Sequence, residues 1–235
     1  MVPREHSKRT GQDVSNSPGA ASAARRRIPW LWLGLAITVA AAAVVVRTRL
    51  TPPELTGAVL TPAPVAQDFR LQDVNGRWVS LSSLRGKVVI LTFLYAHCPD
   101  VCPLIADSLH RAYGLLGATA DKAAFVAVSV DPNGDTVTAI HHFLIEHHVQ
   151  GELTYLRGTF AELRPVWAHY YVGSDVKEVN PEAVAAAKPA ADRVGHTAIV
   201  YVIDPSGKIR TFLSGNFDPR DLVTDVKALA TWGQL

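Results

Sequence analysis

The sequence predicts one α/β domain preceded by a single membrane-spanning helix. Three observations carry that reading. Ile28–Val46 is a run of 19 residues, uncharged and mostly apolar. Prolines 52, 53, 62 and 64 then crowd a short stretch after it. From Gln67 to Leu235 apolar runs of strand length, such as Val88–Leu94, alternate with segments of helical length. That last part is long enough for one hydrophobic core.

The elements follow in order. Residues 1–27 are polar and rich in Ser, Ala and Arg, the composition of a disordered tail. Ile28–Val46 is the expected anchor and 47–66 an extended Pro-rich tether. Within 67–235, Phe69–Val79 reads as a β-hairpin, because Asn75-Gly76 supplies the residues that tolerate positive φ at the turn. Lys87–Leu94 and Ala124–Val130 read as buried strands. Pro103–Gly117 is a helix whose apolar residues include Leu104, Leu109, Leu115 and Leu116. Asp131-Pro132-Asn133-Gly134-Asp135 is a turn leading into a helix over Thr136–His148, and Thr159–Tyr171 is another helix. Ala198–Ile203 and Ile209–Leu213 are strands on either side of the turn Asp204-Pro205-Ser206-Gly207. Pro219–Trp232 is a closing helix. Strand, helix, strand, helix, then a terminal hairpin and helix is the order of a thioredoxin-like domain.

Charge sets the orientation and excludes one class of partner. The chain has 23 Lys+Arg and 21 Asp+Glu. Six of the basic residues and two of the acidic ones precede Ile28, and only Arg47 and Arg49 follow the apolar run closely. That asymmetry favours an N-terminus on the cytoplasmic side and a domain on the extracytoplasmic, periplasmic side. A mitochondrial inner membrane is the alternative setting. The apolar run is longer than the 7–15 residues usual for a cleaved signal, although Ala40–Ala43 offers small residues for cleavage. The part after the anchor is nearly neutral, so it carries no basic footprint for nucleic acid.

Two cysteines occur in the chain, both inside His97-Cys98-Pro99-Asp100-Val101-Cys102-Pro103, between a buried strand and a helix. An exported compartment is oxidising, and cysteines there are usually paired or metal-bound. A disulfide across so short a loop would stabilise the fold by only about 2 kcal/mol, so a purely structural staple is a poor reading. Sulfurs at a helix N-terminus face unpaired N–H groups and the helix dipole, which favour thiolate. Cys98 and Cys102 are therefore candidates both for a redox pair and for soft-metal ligands. Three residues separate them, one more than in thioredoxin-type redox motifs. A trigonal metal site needs a third donor. The candidate is His196, just before the strand Ala198–Ile203, because the loop before that strand faces the active-site helix in thioredoxin-like folds. Two thiolates and one imidazole suit Cu(I), Cu(II) or Zn(II). Met1 is the one methionine, which leaves no thioether alternative.

At these residues the chain resembles the Sco/SenC family of copper chaperones for cytochrome c oxidase assembly. The cysteine block above is the first match. Ser129-Val130-Asp131-Pro132 with Asp135-Thr136 is the second. Gly195-His196-Thr197-Ala198-Ile199-Val200-Tyr201-Val202-Ile203-Asp204-Pro205-Ser206-Gly207 is the third. The resemblance implies copper, as Cu(I) or Cu(II), held by Cys98, Cys102 and His196. It also implies an upstream copper donor and, as client, the dinuclear copper centre of oxidase subunit II or another copper-dependent oxidase. Many relatives have an acidic residue where this chain has Gly195; Asp192 is the nearby carboxylate. A thiol-disulfide oxidoreductase acting on client cysteines is the alternative. A peroxiredoxin-like peroxidase is a third reading, weakened by Tyr95 where such an enzyme would want Thr or Ser.

Other residues have simpler readings. His142 and Glu146 are helical neighbours in His141–His148 and read as a solvated face. His97 adjoins Cys98 without having to point at its sulfur. Asp131 shapes a turn. Trp167, Tyr170 and Tyr171 read as core.

Overall fold

The computed structural model describes residues 30–50, 53–172 and 198–232; the side chains of 31, 45 and 47–50 are left aside. The chain divides into two units, 1–48 and 49–235. In the first, α1 (Trp30–Leu50) is helical over 21 residues. Among the described residues no helix is long and apolar enough to cross a membrane. The expected anchor Ile28–Val46 begins outside the described residues.

The second unit is built on one eight-stranded sheet. Its strands are β1 (Ala58–Val59), β2 (Arg70–Asp73), β3 (Trp78–Ser80), β4 (Val88–Leu94), β5 (Ala123–Ser129), β6 (Leu153–Arg157), β7 (Ile199–Ile203) and β8 (Ile209–Ser214), in the order β1-β8-β7-β4-β5-β6-β2-β3. The helices are α2 (Val101–Leu116), α3 (Val137–Glu146), α4 (Phe160–His169) and α5 (Pro219–Thr231). The β4–β5 and β5–β6 pairs are parallel, whereas β7 lies antiparallel to β4 and β8 antiparallel to β7. A mixed α/β sheet of this kind agrees with the thioredoxin-like order read from the sequence.

The predicted elements form for identifiable reasons. All seven residues of β4 are buried, as its unbroken apolar run requires of a central strand. Gly76 takes φ 77° in the first hairpin, where Asp73 Oδ1 accepts the N–H groups of Asn75 and Arg77. Thr136 caps α3 by accepting the Ala139 N–H. Thr159 and Glu162 form a reciprocal capping box that starts α4. Along α2 the buried residues include Cys102, Ile105, Leu109 and Leu116, while Leu104 and Leu115 face outward. α2 packs against α5.

Two features differ from the sequence reading. β6 has no counterpart there; it pairs in parallel with β5 from Phe125↔Leu153 to Val128↔Leu156. The second difference lies in the tether, which docks onto the domain from Thr56 onward. Ala58 and Val59 pair with Phe212 and Thr211 of β8, and Ile209 N–H donates to the Pro64 carbonyl. The buried Asp225 carboxylate of α5 holds the start of this stretch. Its Oδ1 accepts Thr56 N–H at 2.6 Å and Thr56 Oγ1–H at 2.9 Å. Prolines do not prevent this, because an extended chain on a sheet edge needs only some of its N–H groups. The edge of β8 is thereby covered rather than left open for pairing.

Candidate metal centre

The cysteine run sits where β4 gives way to α2. After Leu94 the chain turns: Cys98 N–H donates to the Tyr95 carbonyl at 3.2 Å. α2 then opens at Val101, as the sequence reading required for both sulfurs to lie near a helix N-terminus. Asp100 is the N-cap residue but makes no side-chain cap bond. Cys98 Sγ takes that part and accepts the Cys102 N–H at 3.4 Å. Pro103 in the first turn has no N–H to leave unsatisfied. Cys98 is 8% exposed and Cys102 is fully buried, and no disulfide joins them. His97 is exposed.

Electrostatics at Cys102 depart from the helix-terminus argument. Burial pushes its thiol pKa well up, and the hydrogen bond with the Cys98 thiol adds to that. Desolvation of a sulfur with no exposed surface outweighs the local dipole. Burial likewise raises Tyr95, whose hydroxyl also bonds the Cys98 thiol. Cys102 therefore stands as a thiol until a cation or an oxidant takes the place of its proton.

A buried polar network underlies the loop. Asp135 Oδ1 accepts the Ala96 N–H at 2.7 Å, two residues ahead of Cys98. Its Oδ2 accepts the Ser129 and Tyr155 hydroxyls. Burial pushes the Asp135 pKa up to about 7 against the pull of these three donors, with Asp131 adding to the rise. Asp131 shapes its turn as expected, since Oδ1 accepts the N–H groups of Asn133 and Gly134. Its Oδ2 is buried without a hydrogen-bond partner. Trp167 Nε1–H donates to the Ser129 carbonyl at 2.9 Å and ties α4 to the end of β5. Asp135 belongs to a motif quoted from the sequence, yet its contact with Ala96 crosses 39 residues. No local pattern signals such a contact.

The remaining residues fall into place individually. His142 and Glu146 are exposed partners at 3.3 Å on the solvent face of α3. Trp167 and Tyr170 are core, but Tyr171 is 84% exposed with φ 53°, a correction to the reading of all three as core. The chain turns out of α4 there, which carries that ring away from the interior. His196, Gly195 and Asp192 lie outside the described residues. Among the described residues no group of three or more His, Cys, Asp and Glu side chains is arranged to hold a metal ion.

A buried dithiol at the first turn of a helix, beside a mixed sheet, defines a thioredoxin-like protein equipped for thiol or soft-metal chemistry. Comparison with known proteins narrows this. The SCO1/SenC family model matches residues 58–231, and the chain belongs to that family. It is 30% identical over 155 residues to Protein SCO2, mitochondrial, of Saccharomyces cerevisiae, a match covering 64% of this chain and 48% of the yeast protein. Bradyrhizobium japonicum ScoI, solved with copper bound, is similar at 32% identity and TM-score 0.56, covering 70% of this chain and 99% of that one. Arabidopsis thaliana ScoI, also solved with copper bound, is similar at 27% identity and TM-score 0.58, covering 72% and 99%. Copper is thus bound by members of this family.

Proposed function

We propose that this chain is a membrane-anchored copper carrier. It binds one copper ion through Cys98, Cys102 and His196 and passes it to the dinuclear copper centre of cytochrome c oxidase subunit II. The observation that carries this is the buried dithiol at the start of α2, packed next to the strand that follows His196. Ala198 and Val101 are close neighbours, both bordering Gly215, so the chain two residues beyond His196 runs beside the residue preceding Cys102. Kinship with family members solved with copper bound supports the same cargo. Copper is the substrate here. On its arrival both thiols release protons, and the neutral imidazole supplies the third donor. Two thiolates and Cu(I) leave one negative charge, which a client donor set relieves by displacing the sulfurs in turn.

The location reading is that Ile28–Val46 spans the membrane with the N-terminus inside, the domain facing the periplasm. Trp32, Leu33, Leu35, Ile37, Val39, Val44 and Val46 of α1 are all exposed, an apolar surface better matched to lipid than to water. The undocked part of the tether is then shorter than the sequence reading, because Thr56 onward is docked.

The test is copper titration of the full chain in detergent with an excess of a competing Cu(I) chelator. One equivalent should bind, and Cys98→Ser, Cys102→Ser and His196→Ala should each weaken binding at least tenfold. Wild-type affinity in the His196 variant removes that residue from the site.

The contact between the thiols favours a second activity, thiol-disulfide exchange. Cys98 and Cys102 would give up two protons and two electrons to a client disulfide, forming their own bond while the client becomes a dithiol. Alkylation and mass measurement after mixing with an oxidised CxxxC peptide would detect it.

A further inference from the structure

We propose that Asp135 is a positioning residue for Cys98. Its carboxylate clasps the Ala96 N–H and, braced by the Ser129 and Tyr155 hydroxyls, holds down the turn that carries Cys98. The clasp thereby sets how far the Cys98 sulfur is open to a reacting partner. This rests on the reading of Cys98 as a working thiol.

Cys98 rides on a tight turn. Its N–H donates to the Tyr95 carbonyl at 3.2 Å, which places Ala96 and His97 at the crest. On one side the Cys102 N–H on Cys98 Sγ, at 3.4 Å, links the turn to α2. On the other the Ala96 N–H donates to Asp135 Oδ1 at 2.7 Å and links it to the chain just before α3.

The acceptor in that second link is itself fixed from three elements. Asp135 N–H donates to the Asp131 carbonyl at 2.9 Å, in the turn that leads to Thr136, the cap of α3. Asp135 Oδ2 accepts the Ser129 hydroxyl from the end of β5 and, at 3.0 Å, the Tyr155 hydroxyl from β6. Tyr155 is fully buried, and its ring stands edge-on to Phe143 of α3. A carboxylate held this way cannot follow the turn, so the turn is held by it. Without the acceptor, the Ala96 N–H is unsatisfied where it lies and regains a partner when the turn lifts toward water. Cys98 lifts with it. Such an opening is local and leaves the sheet intact.

The test alkylates full-length reduced protein in detergent with iodoacetamide, at one pH and in low concentrations of urea. The Cys98 sulfur bonds to the acetamide carbon, iodide leaves and the thiol proton passes to buffer. All variants carry Cys102→Ser, so that Cys98 is the one thiol. Against that background Asp135→Ala should react about tenfold faster or more. Asp135→Asn should stay within about threefold of the background, because Asn Oδ1 still accepts the Ala96 N–H while its amide donates to both hydroxyls. Tyr155→Phe keeps the carboxylate but removes one brace, and should react about threefold faster or more. An unchanged rate in Asp135→Ala overturns the proposal. Asp135→Asn as fast as Asp135→Ala also overturns it, by assigning the effect to the lost charge. So does an Asp135→Ala rate that climbs with urea as steeply as global unfolding, since Cys98 would then be reached through the unfolded chain. If Asp135→Ala does not fold, Tyr155→Phe carries the test, and a background rate in it overturns the proposal. Full exchange of Cys98→Ser, with Cys102 kept, against the oxidised CxxxC peptide would instead overturn the reading of Cys98 as a working thiol.

Discussion

Replacing Asp135 by Asn should flatten the dependence of stability on pH between about 4 and 7. The carboxyl is buried, and its pKa is raised from 3.8 to about 7. A group whose folded pKa lies above its unfolded value stabilises the fold fully below the unfolded value, here below about pH 4. That contribution fades as pH rises toward 7, because the folded state must then bury a charge. At about 1.4 kcal/mol per unit, the rise corresponds to a loss on the order of 4 kcal/mol. Carboxylates such as Asp73 and Asp204 have lowered pKa values, their hydrogen bonds and neighbouring arginines outweighing desolvation. They act in the opposite sense and lose their contribution only as pH falls below about 4. Asn can keep the same contacts. Its Oδ1 accepts the Ala96 N–H and its amide donates to the Ser129 and Tyr155 hydroxyls, which rotate to accept. The assay is urea unfolding of wild type and Asp135→Asn at pH 5 and pH 8, on the unit 49–235. The quantity of interest is the difference between the two proteins. Asp135→Asn should be the more stable of the two at pH 8, and the advantage should shrink or reverse at pH 5. Equal slopes for both proteins would refute the assignment of this loss to Asp135.

Other outcomes follow from the same physics. Asp225→Ala removes the acceptor of Thr56 N–H and Oγ1–H and should cost about 1–3 kcal/mol, while exposing residues 53–66 to limited proteolysis. His142→Ala should change stability by less than about 0.5 kcal/mol and leave the copper stoichiometry at one, since its pair with Glu146 is exposed. Removing residues 1–48 should move the protein from the membrane pellet to the soluble fraction without altering copper affinity; a weaker affinity would bring the anchor or tether into the site. Thr159→Ala should lose about 1 kcal/mol with the capping box of α4, read from thermal unfolding.

The sequence by itself determined the parts governed by short-range rules. An unbroken apolar run makes β4 a central strand. Asn75-Gly76 closes the hairpin between β2 and β3, and threonines at 136 and 159 start α3 and α4 by capping local N–H groups. The cysteine run was legible as a site because two thiols four residues apart before a helix have few other uses. Long-range decisions were not legible there. β6 is five residues long, and only pairing with β5 makes Leu153–Arg157 a strand rather than part of a loop. The tether's prolines read as free extended chain, and the buried Asp225 of α5, far along the sequence, is what holds its second half. Helix-dipole reasoning favoured thiolate at Cys102, whereas packing of α2 against the sheet leaves the sulfur without solvent and desolvation prevails. The Asp135 contact with Ala96 and the approach of Ala198 to Val101 beside Gly215 depend on how α2 crosses the sheet. Such contacts join residues distant along the chain, and their energies arise only when the whole fold brings those residues within a few ångströms.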